Sequence, residues 1–186
     1  MNKKLFLDLE TTGLDFERHG IVQIAGIVDV DSVVVETFNF FVKPYPLDEI
    51  SLEAVAVNGY DANREALTPT EAYKAVVDVF SKYVDRYNKE DKFVLIGQNV
   101  EFDYRFLDKF FKKNRNDYLY AFLHYRKIDL ITISSFLMEA GKIKGGKTNL
   151  KAVAELVGVS FDAHKALSDV IALREIFYKF LGLISK

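Results

Sequence analysis

Leu5-Phe6-Leu7-Asp8-Leu9-Glu10, running on into Thr11-Thr12-Gly13-Leu14, is an apolar stretch that stops at two carboxylates. It reads as a buried strand entered from Lys3-Lys4. Positions two apart on a strand share a face, so Asp8 and Glu10 point the same way. Two like charges at the end of an apolar strand repel each other and lose solvation, and something must offset that cost. A divalent cation on oxygen ligands would do so, and so would plain exposure of both carboxylates to water. The strand alone leaves the two open.

Working outward, Gly13 marks a turn, and Ile21 to Val30 and Val33 to Val42 are β-branched and aromatic runs split by Asp31-Ser32. They read as a hairpin that makes a mainly antiparallel three-strand meander with the first strand. Ser51 to Asn58 predicts a short helix with Ser51 as N-cap and Gly59 beyond its end. Thr68-Pro69-Thr70-Glu71 opens a long helix with Ala72, Ala75, Val76, Val79, Phe80 and Tyr83 on its apolar side. Phe93 to Ile96 is a short buried strand stopping at Gly97, and a helix follows from about Glu101 to Lys113. Phe122 to Ile128 carries a weak pattern for a fifth strand. Asp129 is a plausible cap for a helix to about Ala140, although Ile131-Thr132-Ile133-Ser134-Ser135-Phe136 is ambiguous between helix and strand. Gly141 to Thr148 reads as a loop, Asn149 to Val157 as a helix, and Leu167 to Leu181 as the last helix. The fold class is α/β: a mixed five-stranded sheet, the meander plus two further strands, flanked by helices.

The composition narrows the chemistry. A length of 186 residues with 49% hydrophobic and 28% charged residues fits one domain with a substantial core. A net charge of −2 excludes a bulk polycation gripping nucleic acid, while a local basic rim is still allowed. With no cysteine there is no disulfide, thiolate catalysis or thiolate-ligated metal. Three histidines cannot build much of a metal site, so any metal here is a hard cation on carboxylates. No signal-peptide run and no membrane-length apolar stretch is present, so the expectation is a cytoplasmic location with no membrane partner.

Two further acidic residues sit at element boundaries beside polar or glycine residues. Asp103 lies in Gly97-Gln98-Asn99-Val100-Glu101-Phe102-Asp103, past the end of the fourth strand, and Asp169 lies one turn into the last helix, in Ala163-His164-Lys165-Ala166-Leu167-Ser168-Asp169. Strand ends and helix starts near one sheet edge converge, which would gather four carboxylates. Such a group is strongly destabilising when empty and suits two divalent cations clamping an in-line phosphoryl displacement. His164 precedes Asp169 by five residues, about 140° around a regular helix, so the two share a site only if His164 sits in the loop before the helix. There it could take a proton from water near neutral pH. A lone surface histidine is the ordinary alternative.

These stretches, LFLDLETTGL, NVEFDYRFL and HKALSDV, resemble in order the three exonuclease motifs of the DnaQ-like 3′–5′ exonucleases, in the DEDDh branch of the DEDD superfamily. The resemblance implies a ribonuclease H-like fold for a single exonuclease domain over residues 1–186. It implies two divalent cations, Mg²⁺ or Mn²⁺, on Asp8, Glu10, Asp103 and Asp169, and His164 as the base that activates the attacking water. The sister branch has a tyrosine four residues before the last aspartate, where this chain has Lys165. By the same resemblance Thr11 and Leu14 contact the terminal nucleotide, with Leu14 against its base, and Asn99 and Phe102 line the same groove. Many relatives have His-Asn where this chain has Gln98-Asn99, which touches substrate preference. The implied activity is hydrolysis of the terminal phosphodiester of a single-stranded or frayed 3′ end, with DNA favoured and RNA possible. Glu10-Thr11-Thr12-Gly13-Leu14 leans toward the proofreading branch, whose partner is a DNA polymerase, and a stand-alone enzyme is equally consistent. A non-catalytic nucleic-acid-binding module on the same fold is the alternative from another class, and it has no need of an acidic cluster that repels phosphate.

Two remaining signals weigh less. Gly141-Lys142-Ile143-Lys144-Gly145-Gly146-Lys147-Thr148 fits the P-loop pattern letter for letter. A P-loop needs a strand before it and a parallel βαβ return after it, and this position supplies neither, so no nucleoside triphosphate is expected. Lys109, Lys112, Lys113 and Arg115 cluster on and after one helix, where they could steer a nucleic-acid backbone, although a charge run on a helix is ordinarily a solvated face. His19 and His124 have no partner pattern.

Overall fold

A computed structural model describes residues 2–163 and 165–185. Alternation along β1 (Lys3–Thr11) sorts its side chains onto two cores. Leu5, Leu7 and Leu9 are buried on one face of the sheet and Phe6 on the other. Asp8 and Glu10 occupy the next two positions on the Phe6 side.

β1 pairs antiparallel with β2 (Ile21–Val30), which pairs antiparallel with β3 (Val33–Phe41). Asp31 and Ser32 turn the hairpin with φ of 51° and 72°, both left-handed, as a two-residue turn demands. β4 (Phe93–Gly97) and β5 (Leu123–Asp129) join parallel to β1 on its other side, giving the order β3-β2-β1-β4-β5. The central strand therefore has an antiparallel neighbour on one side and a parallel one on the other. Its C-terminal end opens at this switch, the place where open α/β sheets bind ligands.

Six α-helices cover the sheet: α1 (Leu52–Asn58), α2 (Pro69–Tyr83), α3 (Val100–Lys113), α4 (Leu130–Glu139), α5 (Leu150–Val157) and α6 (Ala166–Ile184). Val76 and Phe80 of α2 and Phe106 and Leu107 of α3 pack with the three leucines of β1. Leu130 of α4, Val153 of α5, and Leu173 and Ile176 of α6 pack with Phe6. The predicted caps are in place. Ser51 Oγ accepts from the Ala54 N–H, and Thr68 and Glu71 form a reciprocal capping box. The ambiguous Ile131–Phe136 stretch is helical: Asp129 Oδ1 accepts from the Ile131 N–H at 2.8 Å, and the Ser134 and Ser135 hydroxyls donate back to Leu130 O and Ile131 O.

α6 is fastened by a contact that no local pattern announces. Asp29, fully buried in β2, accepts from Arg174 Nε (2.8 Å), Tyr178 Oη (2.9 Å) and the Ser32 N–H (3.0 Å), with Lys4 Nζ at 3.7 Å. Removing one side of so buried a charge group costs several kcal/mol. Among the described residues no helix is long and apolar enough to cross a membrane.

Candidate active site

β1 delivers Asp8 and Glu10, and the first turn of α6 delivers Asp169 between Ala166 and Val170, both fully buried. One oxygen from each of the three carboxylates lies within 4.8 Å of the others. Asp103 comes from the first turn of α3 and is 4% exposed. It lies outside that three-carboxylate set, but its Oδ1 accepts the N–H of Leu9 at 3.1 Å, on the strand residue between Asp8 and Glu10. The structure thus brings three of the sequence-predicted carboxylates together and anchors the fourth beside them.

Burial pushes Asp8 well above the usual carboxylate range, and the charges of Asp103, Asp169 and Glu10 push it further. Burial, then the charge of Asp169, raises Glu10 to about 7. Burial raises Asp103 too, against the downward pull of the N–H groups of Leu9 and of Asp103 itself, with Glu10 and Asp129 adding to the rise. All three shifts have one origin: negative charge crowded out of water with no cation beside it. Three convergent hard oxygen donors are what a divalent cation takes as ligands, so the donor set fits such an ion.

The loop after β1 is held in shape by its own polar groups. Thr11, 7% exposed, donates its hydroxyl to Gly13 O (2.7 Å), and Thr11 O accepts from Asn58 Nδ2 (2.8 Å). Thr12 Oγ1 donates to Glu49 O and accepts from the Gly20 N–H. Leu14 stands 84% exposed at the tip. On the other side Asn99, with φ of 59°, begins α3, and Phe102 packs on Phe106 with ring centroids 4.7 Å apart. His164 lies outside the described residues.

Three positions that the sequence left without a role support this arrangement. Asp129 receives the N–H groups of Asn99 (3.2 Å) and Val100 (3.3 Å) as well as that of Ile131, tying the starts of α3 and α4 to the end of β5. The signal was its position as a helix cap. The His19 ring packs on Gly13 so closely that a Cβ there would fall 2.2 Å from it, which explains the glycine of the loop. Asp29 fixes the helix that carries Asp169, and it had no local signal.

The basic cluster is largely neutralised. Lys109 pairs with Glu17, Lys112 with Asp108 and Lys113 with Asp48, so these three charges are poorly placed to steer a polyanion. The P-loop look-alike follows helix α4 and closes onto the core through Ile143, 8% exposed, without the strand such a loop requires.

The family model described as Exonuclease matches residues 5–177. The chain belongs to this exonuclease family. Divalent-metal dependence goes with the family, and the acidic cluster of this member has the donors for it. The chain is 26% identical over 183 residues to a "DNA polymerase III PolC-type" of Thermotoga petrophila, with 97% of this chain covered but only 12% of that protein's length. It is 28% identical over 186 residues to the "DNA polymerase III subunit epsilon" of Rickettsia conorii, covering 97% of this chain and 74% of the relative. The crystal structure of E. coli exonuclease I in complex with a dT13 oligonucleotide shares the fold with a TM-score of 0.80 at 21% identity, over 97% of this chain and 41% of that one.

Proposed function

We propose that this exonuclease-family member works from the 3′ end. It hydrolyses the terminal phosphodiester of a single-stranded or frayed strand, DNA in preference to RNA, and releases nucleoside 5′-monophosphates. The observation that carries this reading is the convergence of Asp8, Glu10 and Asp169 within 4.8 Å, inside a family match spanning residues 5–177. A binding module that must hold phosphate gains nothing from such a cluster.

Asp8, Glu10, Asp103 and Asp169 would hold two cations, Mg²⁺ or Mn²⁺. When bound, these supply positive charge against the attacking and the departing oxygen of an in-line displacement. The chain's own groups do the rest. His164 accepts a proton from the attacking water as the water oxygen bonds to phosphorus. The bond from phosphorus to the 3′ oxygen of the preceding nucleotide breaks, and that oxygen takes a proton from solvent. Leu14, apolar and 84% exposed, offers a surface to the terminal base, and Thr11, Asn99 and Phe102 line the groove. The printed names of the two polymerase relatives make a DNA polymerase the candidate partner, to be sought by co-purification.

The reading is tested with Asp8→Ala, Asp103→Ala and Asp169→Ala on single-stranded DNA with Mg²⁺ or Mn²⁺. Each is expected to lower mononucleotide release by several orders of magnitude while the chain stays folded. Full activity in Asp8→Ala would show the site to be elsewhere.

A further inference from the structure

α3 joins two ends of the molecule. Asp103 stands in its first turn and Asn114 caps its other end, eleven residues on and roughly 16 Å away at the helical rise. At that far end a cavity of about 510 Å³ is lined by Tyr73, Tyr87, Tyr118, Tyr120, Arg86 and Arg115, among others. Tyr87, Tyr118 and Tyr120 are 81%, 61% and 57% exposed, a concentration of aromatic surface that the core does not use. Tyr118 and Tyr120 meet edge to face at 5.7 Å, which leaves ring faces open, and the Arg86 guanidinium lies over the Tyr87 ring at 4.9 Å. Tyr73 is held by Phe111, edge to face at 5.1 Å, and by Asn116, which donates to its hydroxyl.

The charge of the groove selects its occupant. Among the described residues both charged side chains lining it are arginines and no carboxylate lines it. The contrast with the same helix is sharp, since Lys109, Lys112 and Lys113 each carry an acidic partner. A proline-rich peptide would use the aromatic rings and leave two cations without a purpose. A single nucleic-acid strand uses both, because each nucleotide brings a planar base and an anionic phosphate.

We propose that this groove binds the distal part of the single strand whose 3′ end is at the acidic cluster. A stacked strand rises about 3.4 Å per nucleotide, so the far end of α3 is reached about five nucleotides from the terminus. The choice of ligand rests on the proposed function, and the test is therefore read without turnover as well as with it. In EDTA, a 5′-labelled oligodeoxythymidylate of about 20 nucleotides, carrying 5-iodouracil in its 5′ half, should photo-crosslink to Tyr118 or Tyr120. Tyr87→Ala with Tyr118→Ala should weaken its binding about five- to hundredfold, the loss that goes with one stacked base. Arg86→Ala should flatten the salt dependence. With cation present, the same tyrosine variant should raise KM for the long strand and leave a trinucleotide substrate unaffected. Crosslinks confined to other surfaces, or unchanged binding by the variant, would overturn the proposal. So would displacement of the strand by a proline-rich peptide, or saturation of the groove by a nucleoside monophosphate at the affinity of the strand. A chain that binds through the tyrosines yet hydrolyses nothing would uphold the groove and defeat the exonuclease reading.

Discussion

Glu10→Gln is expected to make the metal-free protein more stable, although it alters the site that gives the protein its chemistry. Glu10 titrates near 4.5 when unfolded and about 7 when folded, because burial and then Asp169 oppose its charge. Below pH 4.5 the group is protonated in both states and costs nothing. Between those values the folded state binds the extra proton, so stability falls as pH rises, and above about 7 the whole penalty is felt. At about 1.4 kcal/mol per pH unit the penalty is about 3 kcal/mol, and nearer 2 once the partial exposure of Glu10 is allowed for. Gln keeps the shape and removes the charge. Urea or thermal unfolding in EDTA at pH 8 should therefore show the variant more stable by about 2–3 kcal/mol, a shift of roughly 4–12 °C for a chain of this size. The gap should close as pH is lowered toward 4.5, and Mn²⁺ should stabilise the wild type more than the variant. A variant no more stable than wild type at pH 8, or a gap that does not depend on pH, would refute the electrostatic account of the cluster.

Other substitutions probe the supports of the site. His164→Ala should slow hydrolysis on the order of 10²–10⁴-fold, the usual cost of a lost general base, with metal-dependent stabilisation retained. Asp29→Ala should cost roughly 3–5 kcal/mol in urea unfolding, since it strands Lys4 and Arg174, and a cost under about 1 kcal/mol would show the network to be ornamental. Gly13→Ala drives a Cβ to 2.2 Å from the His19 ring and should destabilise by about 1–3 kcal/mol and raise KM. His19→Ala in the same chain should recover much of that loss, and no recovery would contradict the packing explanation.

What the sequence revealed and what it hid divide along physical lines. The alternation of Leu5, Leu7 and Leu9 against Phe6, Asp8 and Glu10 is local, so the central strand and the shared face of its carboxylates were readable directly. The caps at Ser51, Thr68 and Asp129 were readable for the same reason. β5 was faint because it is an edge strand, with Tyr125 and Arg126 exposed, and such a strand need not present a clean apolar face. The partners of the lysine cluster were hidden because Glu17 and Asp48 are 92 and 65 residues from the lysines they neutralise. Arg174 meets Asp29 across 145 residues, and only the folded sheet brings them together. The P-loop letters misled for the opposite reason, since letters carry no record of the helix that precedes them.

The central claim is hydrolysis from the 3′ end by a cation-loaded acidic site. Its most direct test is degradation of 3′-labelled and 5′-labelled single strands, DNA beside RNA, with Mg²⁺, Mn²⁺ or EDTA. The account predicts cation-dependent release of labelled mononucleotide from the 3′ label at once, progressive shortening of the 5′-labelled strand, faster loss of DNA than RNA, and no reaction in EDTA. An intact strand with every cation, on a folded protein, would contradict it.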